Sequence, residues 1–438
     1  MVPCSSRAAL LLAVLGVVLL LSACTDADEA DTADDPDDPA ADPDDDPDPD
    51  DDPDPDDDGP DLDANLTDEC VEDAEPGDDL FPEQASFEHA TTVDLSYEGT
   101  YKVLEVTPPG AEDATPLVLL QCGAPEPELE GELADAPIVE VPVERAVTAT
   151  TTNLPHFDLL DAVDALAGIG RADFVTTDAV REAAEAGDLV EVAGPDDEPE
   201  LETVVDAEPD VLVVDGFGPE ILDDAERFRD AGVPVALNAD FVEQDLLGRA
   251  EWIKVTGALL NAEAAATEAF DDIAAEVESL RAEVAEVAED DRPTVLLNEP
   301  FEGTWFAPAG DSYQAQAIAD AGGDYAFADT DGTESLELDL ETVLDEAGDA
   351  DVWLQAGSVQ GTYDDLVGVD ERLAELQAFQ DEDVWAFDRG MSPGGGLPVF
   401  EEAYTRADLY LADLVSILQP EVLPDHERRF YGPVGADR

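Results

Sequence analysis

The chain has 438 residues, of which 113 are Asp or Glu and 17 are Lys or Arg, giving a formal charge of −96 at pH 7. The length accommodates two or three domains and a sizeable core. The charge argues against nucleic acid and anionic lipid as partners, because like charges repel.

Residues 1–24 carry Arg7, an apolar run over 8–21, and then Leu21-Ser22-Ala23-Cys24. The run is short for a membrane-spanning helix, so a cleaved leader is expected. Its end resembles a bacterial lipobox, which would make Cys24 the acylated first residue of the mature protein. Residues 25–63 hold 22 acids and no base. Charge repulsion and frequent Pro rule out a core there, and the segment reads as an extended, disordered tether. Without leader and tether the chain still has 91 acids against 16 bases, and Lys102 and Lys254 are its only lysines. Such a surface suits a saline, halophilic setting in which salt screens the repulsion. Cys4 leaves with the leader. Cys70 and Cys122 remain as an even pair in an exported chain and are expected to form a disulfide.

Residues 64–136 read as a β-rich segment, with short β-type runs at 91–95, 101–106 and 117–120. Gly99 and Pro108-Pro109-Gly110 punctuate them as turns. From residue 138 strands and helices alternate, the sign of an α/β fold. Strands are predicted at 146–150, 173–176, 189–192, 211–214 and 233–237, and helices at 158–167, 180–186 and 219–230. Two helices follow, over 248–260 and 261–288. The second is rich in Ala, Glu and Leu, strong helix formers, and Asn261 suits its N-cap. Phe270, Ile273, Val277, Leu280, Val284 and Val287 fall on one stripe. At about 1.5 Å per residue it makes a rod of roughly 42 Å, long enough to span two domains side by side. A heptad-like seam between two copies is the alternative. The alternation then restarts, with strands at 294–297, 352–354 and 384–387 and helices at 312–321 and 398–418. One echo links the halves: LETVVD at 201–206 and LETVLD at 340–345 each precede a buried strand.

Several stretches, in order, resemble iron-type substrate-binding proteins of ABC importers, the ferric siderophore and cobalamin class, in lipoprotein form. They are RAVTATTTNLP at 145–155, EPDVLV at 208–213, GRAEWIK at 248–254, DAGGDY at 320–325, ADLYLADL at 407–414 and QPEVLPDHE at 419–427. The likeness covers roughly 80–434. It implies an α/β fold of two Rossmann-like lobes joined by one long connecting helix, here with an N-terminal β-rich segment. The expected divisions are 1–24, 25–63, 64–136, 137–247, 248–290 and 291–438. It also implies a monomeric, lipid-anchored receptor on the extracytoplasmic face of the membrane. That receptor would capture a ferric siderophore or similar Fe(III) chelate, without a cofactor of its own, and pass it to a permease and its ATPase. Cobalamin and haem are alternatives. One acidic residue per lobe docks on the permease in this class, and the matching positions are Glu202 and Glu341.

Ligands of open α/β sheets bind beyond the carboxyl ends of strands and between domains. That rule selects Thr151, Thr152, Asn153 and His156 in the first lobe, then Phe217, Arg249 and Trp252. Across the rod it selects Trp305 and Tyr313, whose rings can stack on a ligand, and Arg389, whose guanidinium suits an anionic group. N-capping, core packing and salt bridging are the plain structural readings of the same residues. No G-x-S-x-G, P-loop or H-E-x-x-H pattern is present, which disfavours an exported two-lobe enzyme. Only three His occur, too few to favour a bare transition metal. An adhesin built on the β-rich segment is a third reading.

Overall fold

The computed structural model of the chain describes residues 62–111, 113–194, 198–215, 220–355 and 361–435. The leader with Cys24, nearly all of the tether, and Phe217 lie outside them. Four strands come first: β1 (Val93–Tyr97), β2 (Tyr101–Val106), β3 (Thr115–Gln121) and β4 (Ile138–Val141), paired in that order. The first three are antiparallel and β4 runs parallel to β3, Val118 facing Ile138. So β4 completes the N-terminal sheet, although the expected division at 136/137 assigned it to the α/β part. Val139 and Val141 alternate with exposed Glu140, the half-buried pattern of a sheet strand. Cys70 and Cys122 are bonded, with Cα atoms 4.8 Å apart.

The first lobe contains β5 (Ala146–Thr148), α1 (Leu154–Leu159), β6 (Leu166–Ile169), α2 (Asp178–Ala186), β7 (Val190–Glu191), α3 (Leu201–Asp206), β8 (Val211–Val214), α4 (Glu220–Asp230) and β9 (Val235–Leu237). Its sheet is parallel, in the order β7-β6-β5-β8-β9. Here the expected helix over 158–167 is wrong. Residues 154–159 are helical, Asp161 turns to φ 52, and Leu166–Ile169 is a buried strand. The strand expected at 173–176 is replaced by one 3-10 turn, Ala172–Phe174. Short apolar runs do not by themselves separate buried strand from helix.

Three helices cross to the second lobe: α5 (Leu246–Glu251), α6 (Ile253–Leu260) and α7 (Glu263–Val284). The 22 residues of α7 span about 33 Å, shorter than expected. Asn261 does not cap it. It closes α6 at φ 56 and spends its amide on Leu66 O and Gln121 Oε1, each at 2.8 Å. The stripe Phe270, Ile273, Val277, Leu280 and Val284 is buried against the chain's own α5, α6 and α13 (Ala407–Leu418), so it offers no seam to a second copy. Burying each such side chain contributes about 1.5–3 kcal/mol.

The second lobe contains β10 (Thr294–Leu297), β11 (Pro300–Phe301), β12 (Thr304–Pro308), α8 (Tyr313–Asp320), β13 (Asp324–Tyr325), β14 (Ser335–Leu338), α9 (Leu340–Ala347), β15 (Val352–Leu354), α10 (Tyr363–Val369), α11 (Gln377–Gln380), β16 (Val384–Ala386), α12 (Pro398–Thr405), α13 and β17 (Gly432–Pro433). Its main sheet, β13-β10-β15-β16-β17, is parallel except for β17. The LETV echo falls on α3 and α9, and each leads to the strand beside its lobe's first strand. Two similarly wound halves, joined by α7, result. The helix expected over 398–418 breaks at Arg406, whose φ −91 and ψ 60 are not helical.

The N-terminal segment is fastened to the crossing helices by buried charge. Lys102, fully buried, donates to Glu263 Oε1 (2.5 Å), Ala258 O (2.6 Å) and Asn261 Oδ1 (2.8 Å). Lys254 bonds Glu251 Oε1 (2.8 Å) and Ser86 O (2.9 Å). Glu251 accepts the backbone N–H groups of Glu88, His89 and Ala90, and Glu243 those of Thr91 and Thr92. Both lysines of the chain are thus consumed here, and Glu251 ties α5 to the N-terminal segment.

Candidate ligand-binding site

The ends of β10, β15 and β16 wall a cavity of about 680 Å³ through Asn298, Gln355 and Phe387. Arg249 from α5, Tyr313 from α8 and Tyr404 from α12 complete its polar side. Asn298 and Gln355 each follow a central strand and hold φ 66 and φ 61. The left-handed region costs a non-glycine residue roughly 1–2 kcal/mol, and such strain gathers at functional sites.

Arg249 is 4% exposed. Its Nε donates to Glu243 O (2.9 Å) and its Nη2 to Phe241 O (2.7 Å). The guanidinium carbon lies 3.5 Å from the Tyr313 ring centroid and 4.5 Å from that of Tyr404. Burial pushes the Tyr404 phenol up to about 12, so it is neutral. Among the described residues no carboxylate stands within ion-pair distance of Arg249. A desolvated cation held by ring faces and carbonyls keeps N–H donors for an anion. The short helix beneath it is set by Asp245, whose Oδ1 accepts Leu247 N–H (2.8 Å) and Gly248 N–H (3.2 Å).

In the first lobe the loops after β5 and β9 make a buried polar cluster. Asn238 Nδ2 donates to Thr152 Oγ1 (3.1 Å) and Asp240 Oδ1 (2.9 Å), and Asn153 Nδ2 donates to Asn238 Oδ1 (3.4 Å). Burial, with the nearby Asp215 charge, raises Asp240 to about 6, while bonds from Thr152 and Asn238 and the Arg249 charge oppose the rise. Asn153 Oδ1 and Asp240 Oδ2 have no partner among the described residues. Thr152 and Asn153 therefore belong to this cluster. Thr151 walls a second cavity of about 470 Å³ that lies between the lobes, opposite Phe400.

Other expected site residues lie elsewhere. His156 is buried, its Nδ1 2.8 Å from Thr256 Oγ1, and burial pushes its pKa down to about 3, so it is a neutral core imidazole. Trp252 is 1% exposed in the first lobe's core, its Nε1 3.4 Å from Glu243 Oε1. Trp305 is fully buried against Trp353, and its Nε1 donates to Leu297 O (2.8 Å). In both tryptophans an internal acceptor satisfies the ring N–H, and the ring fills core volume. Arg389 is exposed and walls neither cavity, and its N–H donates to Phe430 O. Sequence reasoning missed Gln355, Phe387, Phe400 and Tyr404, although Tyr404 lies one helical turn beyond Phe400 in a helix it did expect.

The glycine-rich loop before α12 spends its N–H groups within the chain. It presses on the first lobe: Ser392 Oγ (2.6 Å) and Gly394 N (2.8 Å) donate to Asp173 O. A Cβ on Gly396 would fall 1.7 Å from Phe174 O, so only glycine fits. Glu401 reaches from α12 to the start of α2, accepting Thr176 N–H (2.9 Å), Thr177 N–H (2.8 Å) and Thr177 Oγ1–H (2.6 Å). Glu202 and Glu341 are exposed in the first turns of the echoed helices α3 and α9.

A family model described as periplasmic binding protein matches residues 147–389. Two uncharacterized lipoproteins of Methanocaldococcus jannaschii are similar to the chain. One is 24% identical over 311 residues, covering 67% of this chain and 69% of its own. The other is 27% identical over 276 residues, covering 60% and 67%. A periplasmic heme binding protein from Pseudomonas aeruginosa superposes with a TM-score of 0.50 at 18% identity, covering 67% of this chain and 99% of that one, a likeness of fold. The matched span contains both lobes' central strands, α7 and Arg249, and the family's members bind solutes outside the cytoplasm and are not enzymes. The chain belongs to the periplasmic binding protein family.

Proposed function

We propose that the chain is a lipid-anchored receptor of an ABC importer that captures an anionic metal chelate, a ferric siderophore or a close analogue, in the cavity around Arg249. The observation that carries this reading is the buried guanidinium with no carboxylate within ion-pair distance among the described residues, although the Asp240 charge acts on it through space. An anionic ligand supplies a direct ion-pair partner, and Tyr313 and Tyr404 flank it with ring faces and hydroxyls. A chelate arrives with its metal already wrapped, so it needs no imidazole or thiolate ligands from the protein. The lipoprotein names of the two archaeal relatives support acylation at Cys24. The exposed pair Glu202 and Glu341, on equivalent helices of the two halves, suits docking on basic residues of a permease.

Native mass spectrometry of protein purified from its own cells tests the reading. A bound mass carrying an iron isotope pattern is expected. A bound neutral sugar or peptide refutes it.

A further inference from the structure

We propose that the second cavity, between Thr151, Phe174, Leu397 and Phe400, is an apolar subsite that takes a ring or branched alkyl arm of the ligand. The inference rests on the reading that the ligand's anionic part sits at Arg249. Among the described residues Glu401 is the one charged group in the wall. It is 2% exposed, and its oxygens are occupied by donors from Thr176 and Thr177. Among the described residues the wall offers a charged guest no counter-ion and, beyond the Thr151 hydroxyl, little side-chain polarity, so desolvating such a guest would go largely unrepaid.

Phe400 links the two chambers. It stands in the wall of both. The residue is 49% exposed, and its ring meets Phe387 edge-on, with centroids 5.6 Å apart at 68°. With the half-buried Phe387 and Leu397 beside it, Phe400 forms a contiguous apolar surface at the cavity mouth, the kind that a guest covers. Thr151 and Phe174 come from the first lobe, Leu397 and Phe400 from the second. An arm seated here touches both lobes, while the anionic part is held by α5 and the second lobe. The ligand class is thus amphiphilic: a negatively charged chelate bearing apolar substituents.

The test compares ferric catecholate with ferric 4-tert-butylcatecholate, prepared at the same ligand-to-iron ratio and titrated calorimetrically into the full exported protein. The two probes share metal coordination and charge and differ in the apolar arm. The parent is expected to bind the butylated probe about tenfold more tightly, the worth of burying roughly two methylenes. Leu397→Ser should erase that preference and leave affinity for the plain probe unchanged, and Phe400→Ser, which also alters the first cavity, should erase the preference too. Equal affinity of the parent for both probes overturns the subsite, as does a preference that survives both substitutions. If neither ferric probe binds, the subsite is decided by 8-anilinonaphthalene-1-sulfonate, a metal-free anion with an aromatic arm. Fluorescence enhancement by the folded parent that Leu397→Ser removes supports the subsite, and no enhancement, or enhancement that survives Leu397→Ser, overturns it.

Discussion

Replacing Lys102 by Met probes the buried joint between the N-terminal segment and the crossing helices. Lys102 and Glu263 are both fully buried and joined at 2.5 Å. Burial lowers the ammonium's pKa, and the Glu263 charge opposes that fall. Lys102→Met leaves Glu263 with Asn65 Nδ2 (2.8 Å) among its side-chain partners and an uncompensated charge. Removing one partner of a buried pair costs about 3–5 kcal/mol. Glu263→Gln should cost less, because the ammonium keeps Ala258 O and Asn261 Oδ1. The double variant, with no charge left to bury, should be less damaged than the sum of the singles by about 2–3 kcal/mol. Urea unfolding followed by circular dichroism measures all four proteins, at about 0.2 M and about 2 M salt. The coupling should be the same at both, since water and ions do not reach the pair. Single substitutions costing under about 1 kcal/mol, or strict additivity, would refute the reasoning.

Four further outcomes are expected. Asp240 titrates at about 6 in the fold because of burial, against about 3.9 unfolded. A raised acid destabilises the fold once the unfolded chain ionises, so the penalty grows between about pH 4 and pH 6 and is full above. Asp240→Asn should therefore gain on the parent by up to about 3 kcal/mol at neutral pH and little below about pH 4; equal gains in urea melts at both refute this. Reducing Cys70–Cys122, which closes a separation of 52 residues, should lower stability by up to about 4 kcal/mol, read as a fall in melting temperature with dithiothreitol. His156 should show no NMR titration between about pH 8 and pH 5, because burial holds it near 3. Reversing the charge of Glu202 and Glu341 together should abolish uptake in cells and leave ligand affinity unchanged; uptake that persists removes their docking role.

The broad plan was legible because its signals are periodic or repeated. The stripe from Phe270 to Val284 announced α7, and the LETV echo announced two equivalent halves. The pocket was harder to read, for physical reasons. Arg249 and Tyr313 were found by the rule of strand ends and crossings, but residue type alone did not separate them from Trp305. A tryptophan beyond a strand looks the same in sequence whether its ring faces a cleft or fills a core. The backbone decides, and here Leu297 O takes the Trp305 N–H. Asn298 and Gln355 owe their places to left-handed backbone that neither residue type demands. The His156 imidazole had hydroxyl neighbours in sequence, yet its partner, Thr256, comes from 100 residues away. Asn261 looked like a helix start and is a helix end, because Lys102 and Gln121 claim its side chain from another sheet.

The central claim is that the buried cation at the cavity floor recognises the negative charge of a metal chelate. Calorimetric titration of parent and Arg249→Gln with ferric citrate, ferric catecholates, haem and a neutral ferric hydroxamate addresses it directly. Losing a desolvated charge contact costs about 2–5 kcal/mol, so Arg249→Gln should weaken at least one anionic chelate by about thirtyfold or more while neutral hydroxamate binding barely changes. Parent protein that binds none of the anionic chelates, or a folded Arg249→Gln that binds them as the parent does, would contradict the account.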